Sequence, residues 1–238
     1  MMKKHFINLS KVSALSLILV ACSGSEAPKE VEEMPEMTEE VVEEVEEPAA
    51  QIITLIAVEH KVADYDVWYA GYLEKSDPES RIGILINMDD ESLIHVAEKT
   101  SGHDAARERL NSDEMKATMA ELGVTSEPTI RYLNIVEMNK DEMKDPYRVA
   151  LWHTVSDFDA WKVKFDEDTD RRTEAGMSLL GLGTVDGEDN MVFMMFSVAD
   201  VEKVKEMLAD PALKEKMEEA GVTSKPEASY WRLPDSAM

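Results

Sequence analysis

Two histidines 93 positions apart keep matching company: Glu59-His60-Lys61-Val62-Ala63-Asp64-Tyr65-Asp66-Val67-Trp68 is answered by Trp152-His153-Thr154-Val155-Ser156-Asp157-Phe158-Asp159-Ala160-Trp161. Imidazole titrates near neutral pH, so His60 and His153 facing one cavity are candidates for a general base or a ligand. Alternation along a strand puts them with Val58 and Val62, or with Val149, Leu151 and Val155. That is the more aliphatic face, the one expected beneath helices. It favours structural imidazoles, each hydrogen-bonded near Asp64 or Asp157. The opposite face carries Glu59 and Lys61 in the first copy and Arg148, Trp152 and Thr154 in the second. Aromatic and convergent polar groups of this kind line ligand pockets, although ordinary contacts between two half-domains would use them equally well. The copies differ most here, so any site on this face is expected to be asymmetric. Met177, Met191, Met194 and Met195 are thioethers of the kind that hold Cu(I), but Met194 and Met195 must point to opposite sheet faces, and core filling is the simpler reading. Cys22 is the only cysteine, which excludes a disulfide framework, a thiol nucleophile in the folded part and a thiolate metal site. No metal site and no cofactor are expected.

These side chains need strands and helices to hold them, and the chain specifies those twice. A second echo, Gly123-Val124-Thr125-Ser126-Glu127-Pro128 and Gly221-Val222-Thr223-Ser224-Lys225-Pro226, lies 98 positions apart and closes each copy. Residues 147–155 alternate as a strand. Asp157 is an N-cap, and Phe158, Trp161 and Phe165 form one stripe of a helix, as do Tyr65, Trp68 and Tyr72 after Asp64. A hairpin follows, 177–184 and 191–197, around Asp186-Gly187-Glu188-Asp189-Asn190. Its counterpart, 82–87 and 92–98, is five residues shorter, which accounts for the change of offset. A second helix comes in two runs, broken at Asp210-Pro211 and stopped at Gly221, with Leu110, Ser112, Met115 and Met119 before Gly123 as its equal. The last strands are 130–136 and 228–233. Each copy is therefore β-α-β-β-α-β, both helices on one face of a four-stranded antiparallel sheet. The bare faces are satisfied if the two sheets meet and close a barrel-like interior.

The pattern His-x-Val-x-Asp-(Tyr/Phe)-Asp-x-Trp, a glycine before the second strand (Gly83, Gly176) and a helix ending in Gly-Val-x-x-x-Pro resembles the dimeric α/β-barrel superfamily that includes antibiotic-biosynthesis-monooxygenase-like domains. The resemblance implies an α+β fold of two tandem ferredoxin-like repeats, at 51–137 and 146–234, packed sheet to sheet as an intramolecular barrel. It names no reaction, because members range from cofactor-free oxygenases and haem enzymes to isomerases and proteins without known activity.

The N-terminus reads as an address. Lys3 and Lys4 precede a short apolar run, 12–20, the form of an export signal over 1–21. Leu19-Val20-Ala21-Cys22 resembles a bacterial lipobox, which implies cleavage before Cys22, its lipidation and, with Ser23 next, transfer to the outer membrane. Residues 22–50 read as an acidic tether: between Glu26 and Glu47 stand eleven Glu and one Lys, with Pro28, Pro35 and Pro48 against any helix. It spans about 90 Å if fully extended. The formal charge of −25 excludes nucleic acid as a partner. The sequence thus predicts a monomeric pseudo-dimer displayed in the cell envelope, binding a small molecule between its sheets or engaging an envelope protein. A cofactor-independent oxygenase or isomerase acting on a small aromatic or carbonyl compound is the alternative.

Overall fold

A computed structural model describes residues 52–188 and 190–235, all within one compact unit, Pro48–Met238. The signal segment, Cys22 and the acidic tether lie outside the described residues. The first repeat runs β1 (Ile53–Lys61), α1 (Tyr65–Lys75), β2 (Arg81–Asn87), β3 (Leu93–Lys99), α2 (His103–Asn111), α3 (Asp113–Glu121) and β4 (Thr129–Met138). A 3-10 turn, Lys140–Glu142, leads to the second: β5 (Tyr147–Thr154), α4 (Phe158–Glu167), α5 (Thr169–Glu174), β6 (Met177–Val185), β7 (Met191–Val198), α6 (Val201–Ala209), α7 (Pro211–Glu219) and β8 (Glu227–Arg232). The short α5 has no counterpart in the first repeat and no apolar stripe that announces it. Gly83, expected before the second strand, lies inside β2, where the pairing with β3 shifts register between Arg81 and Gly83.

The two echoes meet each other. Asp64 and Asp157 cap their helices by accepting from the Val67 and Ala160 amides. The first strand of each repeat is then latched to the end of the second helical pair by the isolated bridges Val62–Val124 and Val155–Val222. Ser126 Oγ accepts from the Lys61 amide and Ser224 Oγ from the Thr154 amide. Gly123 and Gly221 supply the turn at φ 78° and 86°, a region side chains other than glycine rarely enter. The repeated residues are thus the ones that join helix to sheet.

All eight strands form one closed barrel, β1-β3-β2-β8-β5-β7-β6-β4. Each repeat contributes a four-stranded sheet, and the sheets are also joined at their edges, which removes both edges at once. The seams are unequal. β4 and β6 pair from Leu133–Val185 to Met138–Gly181, whereas β2 and β8 pair only at Ile86–Arg232 and Asn87–Trp231. At the tighter seam a Cβ on Gly183 would lie 2.2 Å from the Asn134 carbonyl oxygen, so only glycine fits there. Ala57, Leu55, Leu133, Ala150, Trp152, Phe193 and Trp231 share the core inside the barrel. Val149, Leu151, Met194 and Phe196 meet Trp161 and Val204 under the second repeat's helices. Ile94 and Val96 meet Trp68 under α1, and Ile56 and Val58 meet Leu110 under α2.

Candidate functional site

Three spaces in this fold concern function: one beneath the helices of each repeat and one inside the barrel. Beneath the second repeat's helices is a chamber of about 440 Å³ walled by Leu151, Met194, Phe196, Met207 and Leu213, with His153 on its sheet side. His153 is 4 % exposed, and neither ring nitrogen has a hydrogen-bond partner among the described residues. Trp161 packs edge-on against the ring at 5.4 Å. Burial lowers the imidazole pKa to about 4, so the ring is neutral at physiological pH. The expected hydrogen bond near Asp157 is therefore not made: that carboxylate is engaged by the Ala160 amide. At the rim the charges pair with one another, Lys216 with Asp168 at 2.6 Å and Lys164 with Glu167 at 2.8 Å.

His60 sits likewise in the first repeat, 5 % exposed, without a hydrogen-bond partner among the described residues, edge-on to Trp68 at 5.6 Å and with its pKa lowered to about 4 by burial. The space beside it is only about 100 Å³. The offsets of 93 and 98 explain why. Where the second repeat has Phe165, Phe196 and Met207, the first has Tyr72, Glu98 and Arg109. These bond to one another: the Tyr72 hydroxyl donates to Glu98 Oε1 at 2.9 Å, and Arg109 Nη2 donates to Glu98 Oε2 at 3.0 Å. Burial and the neighbouring Glu98 charge push the Tyr72 hydroxyl pKa well up. A bonded polar triad stands in one copy where apolar side chains wall the chamber in the other.

Inside the barrel, Glu59, Arg148 and Trp152 face inward as the alternation requires, but they do not form one site. Glu59 accepts from His95 Nδ1 at 3.2 Å, with Arg131 3.9 Å away. Burial raises the Glu59 pKa, but the His95 hydrogen bond and the charges of His95 and Arg131 outweigh it, holding the carboxyl below its ordinary value. Trp152 stacks between Phe193 and the Arg131 guanidinium, each 4.4 Å away, and so fills its end of the barrel and does not wall a pocket. Lys61 and Thr154 stand at the strand ends, Lys61 paired with Asp90 at 2.7 Å and Thr154 Oγ1 2.8 Å from Thr223 Oγ1. Of the five, only Arg148 lines the cavity of about 220 Å³ that remains, which His95 of β3 also lines. Sequence reasoning passed over His95 and Arg131; the alternation Leu93, His95, Ala97 opposite Glu59 was the available signal. The four methionines divide as the alternation demands, Met177 and Met194 under the helices, Met191 and Met195 in the barrel. Among the described residues no group of His, Asp or Glu is arranged to hold a metal.

No protein-family model matches the chain, and no curated protein matches it in sequence. Solved structures match it in fold. A candidate chlorite dismutase, 14 % identical, aligns with 78 % of this chain and 96 % of its own at a TM-score of 0.50. An anthrone oxidase-like protein, 12 % identical, aligns over 78 % and 93 % at 0.49. A ferredoxin-fold protein from Listeria monocytogenes related to antibiotic biosynthesis monooxygenases, 9 % identical, aligns over 78 % and 97 % at 0.46. At such identities the likeness is one of fold: two ferredoxin-like repeats closed into an eight-stranded α/β barrel.

Proposed function

We propose that this chain binds a small, largely apolar molecule in the chamber beneath the helices of the second repeat. The observation that carries the reading is His153, a buried imidazole on the wall of an apolar space with neither nitrogen partnered among the described residues. Unmet polar groups in such a place are costly unless a ligand or water meets them. A neutral imidazole offers one N–H donor and one acceptor, enough to orient a ligand with a single hydroxyl, carbonyl or amide. The charged lining mixes both signs, Lys164, Arg171, Arg172 and Lys216 with Glu167, Asp168 and Glu219, so the reading rests on the apolar wall and His153.

Catalysis by a cofactor-independent oxygenase or isomerase would call on the same histidine as base. A pKa near 4 makes it a weak one, far from the neutral range where a general base works best, and among the described residues no partner orients its ring. Binding is the better use of this geometry.

The test is native mass spectrometry of the full chain purified gently from membranes. One apolar molecule per chain is expected, lost when Leu208→Trp fills the chamber. Purification without a bound molecule, or retention of one in Leu208→Trp, defeats the reading. We also propose that a lipid on Cys22 anchors the chain to the outer membrane. Cys22→Ser is then expected to leave the membrane fraction; unchanged fractionation removes the anchor.

A further inference from the structure

The barrel cavity differs in kind from the chamber. Its wall is apolar through Leu55, Ala57, Leu133, Ile135, Phe193 and Met195, and its charged members are Arg81, Lys140 and Arg148, with no Asp or Glu. The chain has 50 acidic side chains against 25 basic ones, so a wall with three cations and no carboxylate runs against composition. None of the three makes an ion pair among the described residues. Arg81 Nε donates to Ser76 Oγ at 2.8 Å, and its Nη2 donates to the Leu73 and Ser76 carbonyls at 2.6 and 2.7 Å.

Arg148 is the extreme case. It is 3 % exposed, and every hydrogen bond it makes leaves from Nη1, to the carbonyls of Asp145 and Tyr147 at 2.6 and 2.7 Å and to Ser197 Oγ at 3.1 Å. Nε and Nη2 carry none among the described residues. The Asp145 carboxylate is held off behind Ser197, whose Oγ lies 3.4 Å from Asp145 Oδ2. Burying a cation without a counter-charge is unfavourable, and breaking even requires a well-placed anion. The free edge of the guanidinium is the edge that takes a carboxylate through two parallel hydrogen bonds.

We infer that the barrel interior is a binding site for a small monocarboxylate with a ring-sized apolar body, its carboxylate on Arg148 and its body against Leu133, Ile135 and Phe193. The size follows from the volume: a dry cavity of roughly 150 Å³ holds benzene, and about 220 Å³ adds room for one carboxylate. Lys140 favours the approach of an anion, while the Arg81 guanidinium is held by the α1 carbonyls over Tyr72. This site is separate from the chamber in the second repeat.

Sodium benzoate is the probe, with benzamide as its uncharged counterpart, measured by calorimetry on the full chain. Saturable benzoate binding at one site is expected, with benzamide weaker by about ten-fold or more, the effect of losing a charge-assisted pair of hydrogen bonds. Arg148→Gln should weaken benzoate by a similar factor. If that variant does not fold, Ala97→Leu, which fills the cavity and leaves the charge, should still abolish binding. Methyl-labelled spectra locate the site: Ala57 and Met195 should shift with benzoate while Met207 and Met217 do not. The inference is overturned if benzoate does not saturate, if benzamide binds as tightly, if Ala97→Leu or folded Arg148→Gln binds benzoate as wild type does, or if the shifts fall on Met207 and Met217.

Discussion

The first repeat fills with bonded polar groups the places that the second gives to aromatic rings or leaves open. Under the helices, Tyr72, Glu98 and Arg109 stand where Phe165, Phe196 and Met207 border the chamber. In the barrel, the hydrogen-bonded Glu59 and His95 stand where Trp152 and Phe193 stack. A buried polar triad must satisfy every member at fixed geometry, so it pins helix to sheet. Apolar contacts are non-directional and tolerate a gap, at a cost that grows with the volume left empty. The lesson is that one architecture, duplicated, separates into a half that holds shape and a half that holds space.

The largest expected effect comes from separating the two. Barrel closure makes each sheet's inner face depend on the other, Leu55, Ala57 and Leu133 in one repeat against Trp152, Phe193 and Trp231 in the other. Residues 50–238 should therefore be monomeric and melt in one calorimetric transition. Residues 50–140 alone should associate, as seen by light scattering, because the exposed inner face is a large apolar patch. Two transitions in the longer chain, or a monomeric folded half, would dissolve the division of labour between the repeats.

Most of the architecture was legible because its signals are local. Asp64 and Asp157 are helix caps, strand alternation separates Val149 from Ala150, and the two echoes mark the latch at Val62–Val124 and Val155–Val222. The chamber was not legible, since its volume is a sum over β5, β6, β7 and the helices α4 to α7 and no single position announces it. The histidines were placed on the correct face, but their hydrogen bonds were not foreseen correctly. Asp64 and Asp157 are caps in the sequence and in the structure, and a carboxylate that accepts from its own helix amide does not also reach the imidazole. Trp152 faces the barrel as the alternation requires but packs against Phe193 and Arg131 outside the cavity, because alternation fixes direction and says nothing of how far along a barrel the packing is complete.

Both histidines offer a second comparison, by pH. Unfolded imidazole has a pKa of about 6.5. Folded, His60 and His153 each lie at about 4. As pH falls below 6.5 the unfolded chain takes up a proton that the folded chain refuses, so stability is lost between pH 6.5 and 4 and is untouched at pH 7 and above. Each histidine accounts for about 3 kcal/mol at the acid end of that window. His60→Phe and His153→Phe should each flatten the fall of denaturation midpoint with acid by a similar amount. If only His60→Phe does, the chamber admits enough water to hydrate the imidazolium at position 153, and the two halves differ in wetness as well as in volume.

The smallest effect tests the triad itself. Tyr72→Phe gives the first repeat the residue type that Phe165 supplies in the second, removing one donor from Glu98 while Arg109 stays at 3.0 Å. The expected loss is about 1 kcal/mol by chemical denaturation, the net contribution of one such hydrogen bond. Phe165→Tyr is the converse and should bring no gain, because the residue matching Glu98 is Phe196, which offers the new hydroxyl no carboxylate. Coupling between Tyr72→Phe and Glu98→Gln of about 1 kcal/mol in a double-mutant cycle would establish the triad as a unit. No cost in Tyr72→Phe and no coupling would mean that bulk alone fills the first repeat. The contrast with the second repeat would then be one of side-chain volume, not of bonding.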